Sequence, residues 1–232
     1  MKRFWTAASL APREGGFGIA LDGRPLKTPA RVDLMVEARP LAEGIVAEWN
    51  SCGAEIDPRA MPLTGLANAA IDHVTPRPDA FAADLAKYAQ GDLLCYRADH
   101  PPKLVEAQAA AWDPMLAWAR GEYGVEFVVT TGIMHQPQPE PTVAKLAAAL
   151  ALATPFQLAA LSPIVTIGGS LVTALAFLAR AVDKEAAWAV VTVDDRWQIE
   201  QWGADDEAVA ALAARRAEFQ AAARFLALLG AA

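Results

Sequence analysis

The sequence predicts an α+β protein: a small N-terminal domain with an antiparallel sheet plus helices, then a larger all-α C-terminal helical domain. Three observations predict it. Asp22-Gly23 lies between FGIAL and RPLKTP, a two-residue hairpin signal. After Pro40 the apolar period changes from two to that of a helix. Beyond DHPP, residues 99–102, the chain is a succession of helical patterns. This proline-rich break divides the 232 residues into domains 1–98 and 99–232.

In order, RFWTAASL (3–10) reads as a strand, FGIAL and RPLKTP as a hairpin with Phe17, Ile19 and Leu21 on one face, and DLMVEA (33–38) as a third strand. Pro40 to Trp49 has Leu41, Ile45 and Glu48/Trp49 at helical spacing. MPLTGLANAAIDHV (61–74) is a second helix, and Thr75-Pro76 opens a third with Phe81, Leu85 and Tyr88 as its stripe. DLLCYRA (92–98) is a short extended segment. Residues 103–123 form one helix kinked at Pro114, or two helices. VEFVVTTG (125–132) is an isolated strand candidate and QPQPEP a loop. Helices are expected near 142–153, 155–161, 163–180, 184–202 and 205–229.

Composition excludes several functions. The net charge is −7 and no long basic block occurs, so nucleic acid is not an expected partner. From Leu146 to Ala179 no residue is charged, which is long enough to suggest a membrane span. Thr154-Pro155 and Ser162-Pro163 nevertheless look like helix starts, and Gly168-Gly169 interrupts the run. Short helices wrapped in protein are expected, without stable membrane insertion. Cys52 and Cys95 form no CxxC, so two reduced thiols are expected rather than a zinc site or disulfide framework. The N-terminus shows neither a signal-peptide run nor an arginine-rich transit pattern, so a bacterial cytoplasmic protein or a mature chain is expected.

Catalytic and cofactor motifs are also missing. GGFGIALDG does not match the dinucleotide fingerprint and precedes a hairpin rather than a helix. His73, His100 and His135 lie outside any zinc-protease or hydrolase pattern. Asp194-Asp195 and Asp205-Asp206 could join a carboxylate-pair enzyme only if they converged in a cleft. Asp205-Asp206 is more simply a helix cap and first turn. No catalytic residue, metal or cofactor is therefore expected.

DDRWQIEQWG, residues 194–203, is the densest cluster of function-bearing side chains. On a helix Trp197 neighbours Val190, Val193, Asp194 and Glu200, and Trp202 neighbours Asp195, Gln198 and Ile199. The two tryptophans are five apart, about 140° around the axis, so helical geometry places them on different faces. Either both anchor the core beside solvated acids, or Trp197 and Glu200 face a partner protein. Tryptophan is enriched at interface hot spots, and an acid beside it suits an arginine on the partner.

Seven motifs occur in order: LDGRPLKTP, AEWN, MPLTGLANAAID, GDLLCYRAD, WDPMLAW, GSLVTALA and DDRWQIEQWG. Together they resemble the assembly-chaperone family for the F1 sector of ATP synthase, the family that acts on the alpha subunit. The resemblance runs from about residue 4 to 225. It implies a non-enzymatic protein, monomeric when free, that binds unassembled alpha subunit and shields its subunit-interface surface. It also implies that eukaryotic relatives are mitochondrial. By the same resemblance Trp197, Glu200 and Trp202 are the first candidates for the client surface, with Trp197 facing the client and Trp202 closing the helix against its neighbour. Asp195 and Gln198 come next. Trp49, Met61, Pro62, Leu63, Thr64 and Asn68 match family motifs but also suit a core, and Arg24, Lys27 and Thr28 are weaker surface candidates. Asn50-Ser51-Cys52 and Gly91 depart from the family pattern, which leaves the resemblance standing but weakens any claim for Cys52 or Gly91. The alternative is a cleft enzyme or nucleotide-binding protein using the carboxylates.

Overall fold

The computed structural model describes residues 2–203 and 205–230. The chain forms two compact units. The first holds the residues up to Pro78, Thr154–Ala160 and the chain from Ala221 onward; the second holds Asp79–Ala153 and Leu161–Gln220. The boundary expected at residue 99 therefore falls inside the second unit.

In the first unit, β1 (Ala8–Arg13), β2 (Gly16–Leu21), β3 (Arg24–Pro25) and β4 (Met35–Val36) form an antiparallel sheet in which β2 pairs with the other three. The Asp22-Gly23 hairpin forms as expected, with φ of 47° and 78° at its two turn residues. Both positive values match a turn that follows the strands' own twist. Asp22 also accepts hydrogen bonds from the Thr6 and Ala7 amides, which tie the chain ahead of β1 to the turn. Three expected strands are displaced or shortened. The first begins at Ala8 because the Arg3 guanidinium instead engages the carbonyls of Trp5, Thr6 and Cys52. RPLKTP pairs only at Arg24 and Pro25, and DLMVEA only at Met35 and Val36.

Helix α1 (Arg39–Ser51) starts with proline in its first turn and buries Leu41, Ala42, Gly44, Ile45 and Glu48. After a 3-10 turn at Pro58–Ala60 comes α2 (Pro62–Ala69), which passes into a π-helical turn at Ala70–Val74. One expected helix is thus two geometries. Ile19, Leu34, Leu41, Ile45, Leu63 and Phe225 supply the unit's largest enclosed side chains. Trp5, Ala8 and Leu21 form a second cluster, with Trp49 against Trp5 at 4.9 Å between ring centres.

In the second unit, α3 (Pro78–Ala86) starts two residues beyond the expected Pro76. Two 3-10 turns, Lys87–Gly91 and Leu93–Cys95, precede β5 (Tyr96–Arg97). Helix α4 (Pro102–Tyr123) is a single helix that continues through Pro114. β6 (Thr130–Thr131) pairs with β5 in parallel, so only two residues of the expected 125–132 strand are strand. Then follow α5 (Glu140–Ala151), α6 (Pro155–Gly168, in this unit from Leu161), α7 (Leu171–Leu178), α8 (Lys184–Val191), α9 (Val193–Trp202) and α10 (Asp206–Leu229, in this unit up to Gln220). Trp112, Leu116, Leu146, Leu150 and Phe219 are enclosed. Among the described residues no helix is long and apolar enough to cross a membrane.

Two further helix breaks differ from the sequence reading. Ser162-Pro163 lies inside α6; the break comes at Gly169, whose φ is +65°. The expected helix 184–202 is two helices. Thr192, with φ −117° and ψ 22°, breaks it, and its hydroxyl donates to the Trp188 carbonyl at 2.7 Å.

Candidate functional site

The motifs singled out in the sequence fall into contacting pairs, and most of those pairs build the fold. Glu48, in AEWN, is buried and reaches the start of α2 in MPLTG. Its carboxylate accepts from Leu63 N at 2.7 Å, Thr64 N at 2.8 Å and Thr64 Oγ1 at 2.8 Å. Met61, the residue at the cap position, offers α2 no side-chain cap, so Glu48 supplies it from α1.

Asp92, in GDLL, adds a second cap to α7 in GSLVTALA, whose own cap residue Ser170 accepts from Thr173 N at 3.0 Å. Asp92 accepts from Leu94 N at 3.1 Å and Val172 N at 2.9 Å. Burial pushes its carboxyl up to about 6, against the pull of those donors. Burial likewise drives the nearby Cys95 thiol up to about 12, helped by the Asp92 charge, so Cys95 is a packed thiol and not a nucleophile.

DDRWQIEQWG forms α9 and its end, and its first turn is held on several sides. Gln108 Nε2 donates to Asp194 Oδ1 at 2.8 Å, and Gln108 Oε1 accepts from Ala98 N at 2.8 Å. Trp112 Nε1 donates to the Val190 carbonyl at 2.8 Å. Asp195 pairs with Arg215 at 3.1 Å. Arg196 donates to the Ala189 carbonyl at 2.7 Å. The last turn is free by comparison. Gln198, Glu200 and Gln201 are exposed, Trp202 is 75% exposed, and Gly203, with φ +84°, ends the helix.

The placement of the two tryptophans departs from the helical-wheel expectation in two ways. They do meet, edge to face, with ring centres 5.5 Å apart. The wheel describes Cβ directions, and two long side chains leaning toward each other span the remaining angle. The exposures are also the reverse of those expected: Trp202 faces solvent, while Trp197 is half-buried. The Trp197 Nε1 is enclosed and has no hydrogen-bond partner among the described residues.

The first-unit candidates separate by burial. Met61, Leu63, Thr64 and Thr28 are buried, and Leu63 and Thr64 are bound to Glu48. Trp49 and Asn68 are half-buried. Trp49 packs on Trp5, and its carbonyl accepts from Trp5 Nε1 at 3.3 Å. Arg24 and Lys27 are exposed, and Lys27 pairs with Asp33 at 2.9 Å. Sequence reasoning missed the capping by Glu48 and Asp92, the anchoring of α9 by Gln108 and Arg215, and that of α8 by Trp112. The capping partners lie 15 or more residues apart, and no local pattern joins them. Among the described residues no three His, Cys, Asp or Glu side chains are grouped to hold a metal ion.

Comparison with known proteins identifies similar chains. A family model described as ATP12 chaperone protein matches residues 2–120. The mitochondrial protein atp12 of Schizosaccharomyces pombe is 26% identical over 219 residues, covering 89% of this chain and 75% of its own. The crystal structure of Atp12 from Paracoccus denitrificans superposes with a TM-score of 0.92 at 42% identity, covering 98% of both chains. The Atu1473 protein of Agrobacterium tumefaciens gives 0.93 at 39% identity, covering 98% of this chain and 86% of its own.

Proposed function

This chain belongs to the ATP12 chaperone family, and on that premise we propose that it assists ATP synthase assembly by holding the unassembled alpha subunit of the F1 sector. It works without catalysis or cofactor, as a monomer when free, in the bacterial cytoplasm. It shields the alpha surface that later meets the beta subunit, and releases it as F1 closes.

The observation that carries this reading is the exposed end of α9. A tryptophan 75% exposed is a large apolar area left to water on a helix whose other end is firmly held. Such a side chain stabilises a complex when it enters a pocket on a partner. Glu200, exposed in the same turn, supplies an acid for a cation on the client. Trp202 is therefore the leading contact, Glu200 its neighbour, Trp197 the support behind it, and Gln198 a flanking residue. Asp195 serves from behind, through Arg215. Arg24 and Lys27 remain secondary surface positions on the first unit.

Co-purification with separately expressed alpha and beta subunits tests this. The expected result is capture of alpha, suppression of its aggregation, and no capture of beta. Trp202→Ala and Glu200→Lys should each weaken capture by about tenfold while leaving the unfolding temperature unchanged, since both side chains are exposed. Capture of neither subunit, or full capture by both variants, would remove α9 from this role.

A further inference from the structure

The chain between α4 and α5 has almost no regular structure, yet it is held along its length. Lys145 Nζ donates to the Gly124 carbonyl at 2.6 Å. The Thr142 hydroxyl accepts from Glu126 N at 3.2 Å and donates to the Glu126 carbonyl at 2.6 Å. The Gln138 amide does the same for Val128, at 3.0 and 2.8 Å. Gly132 N donates to the Arg97 carbonyl at 2.9 Å, and the Tyr96 hydroxyl meets His135 Nδ1 at 3.1 Å. Side chains from α5 and its approach thus supply the ladder that a neighbouring strand would otherwise provide. On this frame Ile133 is 95% exposed and Met134 75%, with Val128 and Val129 at 41% and 44%. No Asp, Glu, Lys or Arg occurs from Phe127 to Pro139.

We propose that the Ile133–Met134 tip is a second client contact, docking into an uncharged apolar cleft on the subunit-interface face of the alpha subunit. The proposal rests on the client reading of α9. Charge matching favours this occupant. Interface cores are depleted of charge and enriched in methionine, so a neutral tip suits a surface that another subunit will later cover. An anionic lipid surface would call for lysines or arginines around the tip. Arg97 is committed to Asp113 and Lys145 to Gly124, and the chain as a whole carries −7. The two contacts also share a scaffold. Gln108 binds Ala98, next to the strand that steadies the tip, and Asp194, in the first turn of α9. A client engaged at both places gains from the second contact being intramolecular.

The test uses the full chain and purified alpha subunit. The double variant Ile133→Ser/Met134→Ser should bind alpha about tenfold or more weakly with unchanged thermal unfolding, and a benzophenone amino acid at position 133 should cross-link to alpha. Unchanged binding by the double variant, with Trp202→Ala impaired, overturns the tip and leaves the α9 reading standing. Failure of the unaltered chain to bind alpha overturns both. Cross-linking only to a second copy of the chain overturns the proposal in favour of self-association. Loss of sedimentation with phosphatidylethanolamine–phosphatidylglycerol vesicles, without loss of alpha binding, overturns it in favour of a membrane.

Discussion

Asp92 accepts hydrogen bonds from the Leu94 and Val172 amides while fully enclosed. Its carboxyl titrates near 6 in the fold, against an ordinary value of 3.8, because burial outweighs the donors. The folded state therefore holds a proton between these values that the unfolded chain has released. The resulting stabilisation is complete below about pH 4 and is lost as pH rises through about 6, an effect on the order of 3 kcal/mol. Asp92→Asn cannot titrate. The stability advantage of the unaltered chain over this variant should therefore shrink between about pH 4 and pH 7, measured by urea unfolding at both. An equal advantage at the two pH values would mean that the carboxyl does not titrate on folding in this range. The same residue scale bears on the proposed surface. The sequence placed Trp197 and Trp202 on one helix, and of the two Trp202 is the more exposed, because helical angle alone does not describe where a long aromatic side chain ends.

Among the elements, α2 and α7 share one device: an eight-residue helix whose first amides are taken by a carboxylate from a distant segment. Short helices are marginal alone, so this capping and the packing around it hold them in place. Glu48→Ala would leave the enclosed Leu63 and Thr64 amides without an acceptor, and should lower stability by about 2–4 kcal/mol. Glu48→Gln should fall between, since its amide oxygen still accepts while its NH2 group faces donors. Denaturant midpoints check both; an alanine variant within about 0.5 kcal/mol of the parent would show that water replaces the carboxylate. These elements also mark what was legible. The Asp22-Gly23 hairpin and the α1 stripe were readable because turn chemistry and apolar period are local. The α8–α9 break was not, because neither glycine nor proline marks Thr192, whose φ of −117° and ψ of 22° interrupt the helix. Ser162-Pro163 looked like a helix start, yet α6 continues through it. The Thr166 hydroxyl donates to the Ser162 carbonyl at 2.9 Å, and both flanks are buried.

At the scale of the whole molecule, the first unit is discontinuous in sequence, and here the local reading had the least to work with. Nothing in the pattern of α6 or α10 marks the residues at which each helix passes between units. The consequence is physical. Phe156 and Phe225 stack with ring centres 6.3 Å apart and planes 9° from parallel. Phe225 is fully enclosed, and a Cβ on Gly44 would lie 3.2 Å from Leu228 Cδ1. Residues 221–230 are therefore part of the core around α1. A domain ending at residue 98 and stable by itself would be indifferent to a change at position 225. If the unit includes these residues, Phe225→Ala should lower stability by about 3–5 kcal/mol. The loss should appear in the first unit, as reduced hydrogen-exchange protection of the β2 and α1 amides. Protection of those amides at parental levels in a variant destabilised only elsewhere would restore the boundary near residue 99. It would also make the N-terminal segment an independent folding unit.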